Sequence, residues 1–244
     1  TFVSLTGYNS NVWLNIVIML LIIIGGIGFL TWEDFYNNKF KFKRYRMQSK
    51  VILVTTAILI IAPAVFFFIC DFENLPVGKR LLASVFQSVT TRTAGFNTED
   101  LSLMTEAGKA VMIFLMLIGG SPSSTAGGMK TTTFAALILN AFATFRSRED
   151  VGVFGRRFDG QVIKNAATIA MLYFMLFFFG GITISVYEGL PLLTCLYETA
   201  SAVGTVGLTL GVTPGLHILS RVILIVLMYF GRVGGLTLIY AVFT

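Results

Sequence analysis

The chain has 244 residues, of which 55% are hydrophobic and only 12% are charged, and its mean hydropathy is +0.82. This composition is far from that of a soluble domain and indicates a membrane protein. The formal net charge is +6, but most of the cations lie in two loops between apolar segments, which disfavours a nucleic-acid-binding surface.

Five uncharged stretches are candidate membrane spans, because about 20 apolar residues cross the hydrocarbon core. In chain order they cover residues 11–32, 51–70, 110–129, 165–187 and 222–231, the last continuing past Arg232 to residue 244. Six Lys and Arg lie within residues 39–50 and five within residues 146–164. Since loops rich in Lys and Arg stay inside, both loops are predicted to be cytoplasmic.

Two shorter segments, residues 81–91 and 191–202, are predicted to be helices that enter the membrane without crossing it. Gly95 and Gly207 follow them, and each lies 24 residues before a further glycine, Gly119 or Gly231, so an offset of 112 residues superimposes both pairs. The sequence therefore predicts a span, pore helix, span unit that occurs twice. The predicted fold class is an all-α membrane protein built from repeated span, pore helix, span units.

The predicted domains follow this repeat. Residues 1–50 hold the last span of a preceding repeat and a basic cytoplasmic loop, and residues 51–145 hold a repeat with a broken second span. Residues 146–161 form a cytoplasmic linker, and residues 162–244 hold a repeat whose last span carries Arg232.

The segments after the two short helices are predicted to be ion filters. Backbone carbonyls in such segments can replace the hydration shell of a cation, and the carboxyl end of each short helix favours positive charge. The alternative is that these small residues serve close helix packing. The predicted filter residues are Thr93, Ala94, Gly95, Phe96, Thr205, Val206, Gly207 and Leu208, with K+ expected at the carbonyls of Thr93, Gly95, Thr205 and Gly207.

The segment 119–130 cannot continue as a lipid-facing helix, because its glycines, its proline and its hydroxyl residues would leave backbone groups unpaired. It is predicted to be a movable gate below the filter, at a level where the second repeat has a continuous helix; the alternative is a simple kink or an external loop. The predicted gate residues are Gly119, Gly120, Ser121, Ser123, Ser124, Thr125, Gly127, Gly128 and Lys130.

Two further charged residues, Arg232 and Glu198, lie in predicted membrane segments. Arg232 is expected about midway along its helix, as a positive barrier in the pore, because a cation at the centre of a span needs a polar environment; the alternative is an arginine that reaches the membrane interface. Glu198 lies in the second short helix and either bonds backbone amides behind the filter or faces the outer vestibule.

Together, residues 88–98, 119–130, 204–208 and 231–232 resemble the third and fourth repeats of the Trk/Ktr/HKT potassium transporter superfamily, most of all the bacterial Ktr-type membrane translocating subunit. The resemblance implies uptake of K+, or of monovalent cations more generally, across the plasma (cell inner) membrane. It implies four repeats around one pseudo-fourfold ion pore, as in voltage-gated-like ion channels, so that missing N-terminal repeats of the same subunit complete the filter. It also implies a homodimer, a cytosolic nucleotide-binding regulatory ring, Na+ as a candidate coupling ion and no organic cofactor.

Other functions were weighed on the same residues. An ion-coupled secondary transporter would build its site from broken helices at the midplane, but its repeats are often inverted whereas these run parallel. A non-transporting membrane scaffold would not need the filter glycines. One histidine and no phosphate-binding glycine loop argue against an enzyme.

Overall fold

A computed structural model of the protein describes residues 4–39, 41–148 and 150–234, and this part is almost entirely helical. The helices are α1 Val12–Ile27, α2 Phe29–Asn38, α3 Met47–Cys70, α4 Val77–Thr90, α5 Glu106–Leu117, α6 Thr131–Phe145, α7 Gly160–Glu188, α8 Leu192–Val203 and α9 Ile218–Val233. Single 3₁₀ turns lie at Thr6–Tyr8, Phe42–Arg44, Leu101–Leu103 and Thr213–Gly215, and two short strands, β1 Gly152–Val153 and β2 Arg156–Arg157, form a hairpin.

Two predicted spans form as single helices. Within the described ranges, α3 and α7 are the helices that are long and apolar enough to cross a bilayer unbroken. Their low internal burial agrees with apolar faces turned towards lipid, since a membrane span needs no polar outer face.

The first predicted span is not one straight helix, and that expectation was wrong. Helices α1 and α2 meet at Gly28 with a bend of 95°. Gly28 has φ +91°, and a Cβ on it would lie within 3.0 Å of the Pro122 carbonyl. The backbone conformation and the close approach of another segment both require glycine here.

The other two predicted spans are also interrupted. Residues 118–130 are not helical and separate α5 from α6, so the predicted break is observed. The last span was expected to be a continuous helix beyond Arg232, but α9 ends at Val233, and Gly234 follows with φ +88°. Residues 235–244 lie outside the described residues.

The two short helices occupy the predicted places with shifted ends. Helix α4 begins four residues earlier than expected, and both α4 and α8 have a proline, Pro76 or Pro191, at the N-cap rather than in the first turn. Helix α8 packs against α5, α7 and α9, whereas α4 packs against α3 and α1. Both short helices are therefore enclosed by the longer ones.

A carboxylate at the C-terminal end of α3 caps α5, and another at the C-terminal end of α7 caps α9. Asp71, after α3, accepts hydrogen bonds from the amide and hydroxyl of Thr105 at 2.9 and 2.7 Å. Glu188, at the end of α7, accepts from the His217 amide at 2.9 Å and from the Ser220 hydroxyl at 2.5 Å. Thr105 and His217 are 112 residues apart, so the same cap recurs at equivalent positions, where it satisfies free amides of the helix start.

The linker between the repeats contains a hairpin that the sequence did not predict. Gly152 pairs with Arg157 and Val153 with Arg156, and the turn residues Phe154 and Gly155 have φ of 51° and 77°. A two-residue turn with both φ values positive suits a hairpin, but Phe-Gly lacks the Asn-Gly or Asp-Gly signal that marks such turns in sequences.

Candidate ion-conduction site

The backbone leaves both short helices in the same unusual conformation. Thr93 has φ 61° and Thr205 has φ 52°, and the glycines two positions later, Gly95 and Gly207, have φ 75° and 92°. A positive φ is a genuine outlier for a β-branched residue such as threonine. Two such outliers at equivalent positions of the two repeats indicate a backbone shape that the fold imposes, and strained backbone of this kind clusters at functional sites.

The two segments meet backbone to backbone. A Cβ built on Gly95 would lie within 3.0 Å of the Val206 carbonyl oxygen and 3.2 Å from the Cα of Gly207. No side chain fits between them at this point. Gly95 and Gly207, which are 112 positions apart in the sequence, are therefore neighbours in space, as a shared pore requires.

Amides of these segments donate hydrogen bonds, whereas most of their carbonyls accept none in the described part of the chain. The Val206 amide donates to the Ser201 carbonyl at 2.8 Å, and the Gly207 amide donates to the Ser201 hydroxyl at 3.1 Å. Within the described residues no donor bonds the carbonyl oxygens of Thr93, Ala94, Gly95, Thr205, Val206 or Gly207. Five of these six residues are at least partly exposed, so their carbonyl oxygens are accessible to a ligand.

Phe96 and Leu208, the last predicted residues of each filter, differ from one another. The Phe96 carbonyl accepts a hydrogen bond from the Thr90 hydroxyl at 2.5 Å, and its ring is exposed. The side chain of Leu208 is buried in the apolar core. The two segments are thus alike in their backbone and unlike in how their ends are fixed.

A cavity of about 840 Å³ opens above the two glycines. Its wall includes the carboxylates of Glu99 and Asp100, which give it a negative charge that attracts cations. Burial raises the pKa of Glu99, whereas hydrogen bonds from the hydroxyl and amide of Ser102 lower the pKa of Asp100. Asp100 is therefore the carboxylate that stays ionised over the wider pH range.

The segment between α5 and α6, called the loop 118–130 below, lies directly against the second filter segment. A Cβ on Gly127 would overlap the Thr205 side chain, and a Cβ on Gly119 would overlap the Gly127 carbonyl. The Gly119 amide donates to the Met129 carbonyl at 2.8 Å, which closes the loop at its base. The predicted gate residues are thus brought next to the filter.

Both neighbouring helix ends hold the loop. On one side, the Ser121 amide donates to the Gly26 carbonyl at 2.9 Å, and the Phe29 amide donates to the Ser123 carbonyl at 3.1 Å. On the other side, the Gly128 amide donates to the Gly231 carbonyl at 3.2 Å. The loop is therefore held by backbone hydrogen bonds to α1, α2 and α9.

Two cations also bond the loop. Lys130 is the N-cap residue of α6, and its ammonium donates to the Ala126 carbonyl at 2.7 Å. Arg232 donates from Nη1 to the Thr125 carbonyl at 2.7 Å. Arg232 lies in the last turn of α9 and is exposed, so the expectation that it sits midway along its helix was wrong. Its partner was not visible in the sequence, because the two residues are 107 positions apart.

Glu198 holds the segment that follows the second filter. Oε1 accepts from the Thr209 hydroxyl and the Leu210 amide, both at 2.8 Å, and Oε2 accepts from the Thr213 hydroxyl at 2.7 Å. The side chain is 5% exposed. Of the two alternatives left by the sequence, the contact with a backbone amide is the one observed, and the two hydroxyl partners were missed.

Arg92 stands immediately before the first filter segment and is also 5% exposed. Its guanidinium donates to the Thr56 hydroxyl of α3 at 3.3 Å. This bond links the residue before Thr93 to helix α3 and so helps to hold the start of the segment in place.

The fold defines an all-α membrane protein with repeated units, in which residues 93–95 and 205–207 bring together backbone carbonyls that have no donor among the described residues. A family model described as "TrkH: Cation transport protein" matches residues 2–243. The chain belongs to this family of cation transport proteins, which are not enzymes.

Curated relatives agree with this assignment. The potassium/sodium uptake protein NtpJ of Enterococcus hirae is 37% identical over 98% of this chain and 54% of its own length. The Ktr system potassium uptake protein B of Bacillus subtilis is 35% identical over 98% of this chain and 55% of its own length. The chain spans about half the length of the curated relatives it matches.

A solved structure is similar in fold. The crystal structure of the potassium transporter TrkH from Vibrio parahaemolyticus superimposes with a TM-score of 0.78 over 98% of this chain and 53% of that chain. The identity is 19%, so this similarity concerns the fold alone.

Proposed function

We propose that this chain is half of a K+ uptake protein and supplies two of the four repeats around its pore. Residues 93–96 and 205–208 line the selectivity filter, and missing N-terminal repeats of the same subunit complete it. The relatives named above are potassium or potassium/sodium uptake proteins, which supports K+ as the transported ion, with Na+ as the candidate coupling ion.

This proposal rests on the backbone carbonyls to which no described residue donates a hydrogen bond. Amides of both filter segments are held by the pore helices, whereas the carbonyls of residues 93–95 and 205–207 have no donor among the described residues. Rings of backbone carbonyls are the way in which cation filters replace the hydration shell. The approach of Gly95 to Val206 supports a shared pore rather than two separate loops.

The loop 118–130 is the proposed gate, and Arg232 is the proposed barrier. The loop lies against Thr205, so it obstructs the path below the filter in this conformation. Arg232 adds a positive charge at that level and holds the loop through the Thr125 carbonyl. The loop must therefore move before a cation that has passed the filter continues along the pore.

The complete protein is proposed to be a multi-pass protein of the plasma (cell inner) membrane, a homodimer, and controlled by a cytosolic nucleotide-binding ring. The family and the apolar helices support the membrane location. The name "Ktr system" borne by the Bacillus subtilis relative fits a multi-component assembly. Such a ring acts on the loop through helix α2, whose first residue, Phe29, donates its amide to the Ser123 carbonyl.

Flux through the complete transporter tests the proposal. The protein is reconstituted into liposomes, and uptake of Rb+ as a K+ tracer is measured against competing K+ and Na+. We expect saturable uptake that K+ inhibits more strongly than Na+, and loss of this uptake in the double variant Gly95→Ser, Gly207→Ser. Gly160→Ser is the matched control, because a Cβ there meets open space. Flux no greater than that of protein-free liposomes contradicts the proposal.

A further inference from the structure

The second filter segment is fixed at both ends, and the outer fixation depends on one carboxylate. The Ser201 hydroxyl holds the Gly207 amide. Beyond it, residues 209–213, called the outer arm here, bond to Glu198 through the Thr209 hydroxyl, the Leu210 amide and the Thr213 hydroxyl. Both carboxylate oxygens are used, so the arm has one defined position relative to the pore helix.

The outer arm follows the proposed ion ligands almost directly in the chain. Thr209 is two residues after Gly207, and the cavity above the filter is lined by Gly207, Leu208 and the first three residues of the arm. A shift of the arm therefore moves the carbonyls at the top of the filter. Binding sites need their ligands held to within about 0.5 Å by supporting residues.

The first filter lacks this support. The position 112 residues before Glu198 is Phe86, which is fully buried among apolar side chains. The first filter is held instead by the Thr90 hydroxyl on the Phe96 carbonyl and by the Leu5 amide on the Asn97 carbonyl. The two halves of the site are thus held by chemically different groups.

Glu198 also has no basic partner. Within the described residues no Lys or Arg nitrogen lies within 4.0 Å of its carboxylate. A buried carboxylate without a counter-ion is costly unless its oxygens accept hydrogen bonds. The three donors of the outer arm meet that need, so the arm and the carboxylate fix each other.

We propose that Glu198 is a positioning residue that sets K+ over Na+ discrimination by holding the outer arm of the second filter. The proposal rests on the proposed function and adds the group that controls its selectivity. Glutamine preserves this arrangement, because its carbonyl can accept from Thr209 and Leu210 while the Thr213 hydroxyl turns to accept from the amide. Alanine removes all three bonds and frees the arm.

The test compares Glu198→Ala and Glu198→Gln in the complete transporter reconstituted in liposomes. For Glu198→Ala we expect the KM for K+ to rise about tenfold and the K+ over Na+ preference to fall about tenfold, since losing hydrogen bonds to a charged group is a large effect. The maximal rate should stay within about twofold, because the gate is untouched. Glu198→Gln should lie within about threefold of the wild type in both quantities.

Glu188→Ala is the matched control, since Glu188 also accepts an amide and a hydroxyl hydrogen bond but caps α9 away from the filter. It should lower thermal stability and leave the ion preference unchanged. If Glu198→Ala fails to insert, Thr213→Val removes one of the three bonds and should shift KM and preference in the same direction by a smaller factor.

The outcomes separate this inference from the proposed function. A wild-type protein without cation flux contradicts the function itself. A selective wild type whose Glu198→Ala variant keeps its KM and preference contradicts only the positioning role. Equal losses in Glu198→Ala and Glu198→Gln also contradict it, because they would assign the effect to charge rather than to position.

Discussion

Alanine substitutions at the two filter glycines should weaken K+ uptake to different degrees. Both glycines have φ in the left-handed region, which costs a residue with a Cβ about 1–2 kcal/mol. At Gly207 this is the whole effect, because the nearest atom to an added Cβ is the Gly95 Cα at 3.8 Å. At Gly95 the added Cβ also overlaps the Val206 carbonyl oxygen.

The overlap sets the ranking. Overpacking by a methyl group costs about 1–3 kcal/mol, and the group that must move is a proposed ion ligand. If these costs appear in ion binding, at about tenfold per 1.4 kcal/mol, Gly207→Ala should raise the KM for K+ about 5- to 30-fold. Gly95→Ala should raise it at least about fivefold further and should also reduce the K+ over Na+ preference.

Competitive Rb+ uptake with K+ and Na+ in proteoliposomes measures both quantities. Gly215→Ala is the control, because this glycine lies on the same outer side, has an ordinary φ and has open space around a Cβ. It should behave as the wild type. Equal effects at Gly95 and Gly207, or a wild-type KM in Gly95→Ala, would refute the reasoning from backbone contact.

Four further predictions concern the gate, in two cases, and stability and topology, in one case each. Arg232→Ala should increase cation flux, because it removes both the positive charge and the hydrogen bond that holds the loop at Thr125; unchanged flux in a normally assembled protein would show that neither matters. Deleting residues 121–127 should raise the maximal rate of uptake while K+ preference remains, and a folded protein that no longer transports would favour a structural role for the loop. Asp71→Ala should lower the unfolding temperature by about 2–4 °C, as expected for losing a helix cap worth about 1 kcal/mol, and an unchanged melting curve of the detergent-solubilised protein would count against the cap. A cysteine at Arg157 should react with a membrane-impermeant reagent only from the cytoplasmic side, and labelling from outside intact cells would reverse the topology.

The sequence by itself determined the parts that depend on local pattern. Uncharged runs defined α3 and α7, since length and hydropathy suffice to identify a span. The repeated spacing from Gly95 to Gly119 and from Gly207 to Gly231 located the two glycines whose φ is positive, Gly95 and Gly207, and the break after α5. The concentration of glycine, proline and hydroxyl residues in 119–130 disfavours a lipid-facing helix at that segment.

The tertiary structure decided where elements that are distant in sequence meet. The bend at Gly28 depends on the approach of Pro122, and nothing in the local apolar pattern signals it. Arg232 was misplaced along its helix because α9 ends at Val233, whereas hydropathy alone extends this helix into a longer span.

The same reason applies to the partners of charged groups. The hydrogen bonds from Arg232 to Thr125 and from Thr213 to Glu198 join segments that only packing brings together. The sequence shows that a buried charged residue needs hydrogen-bond partners. It does not show which residues they are, because a hydrogen bond requires a distance of about 3 Å that only the fold sets.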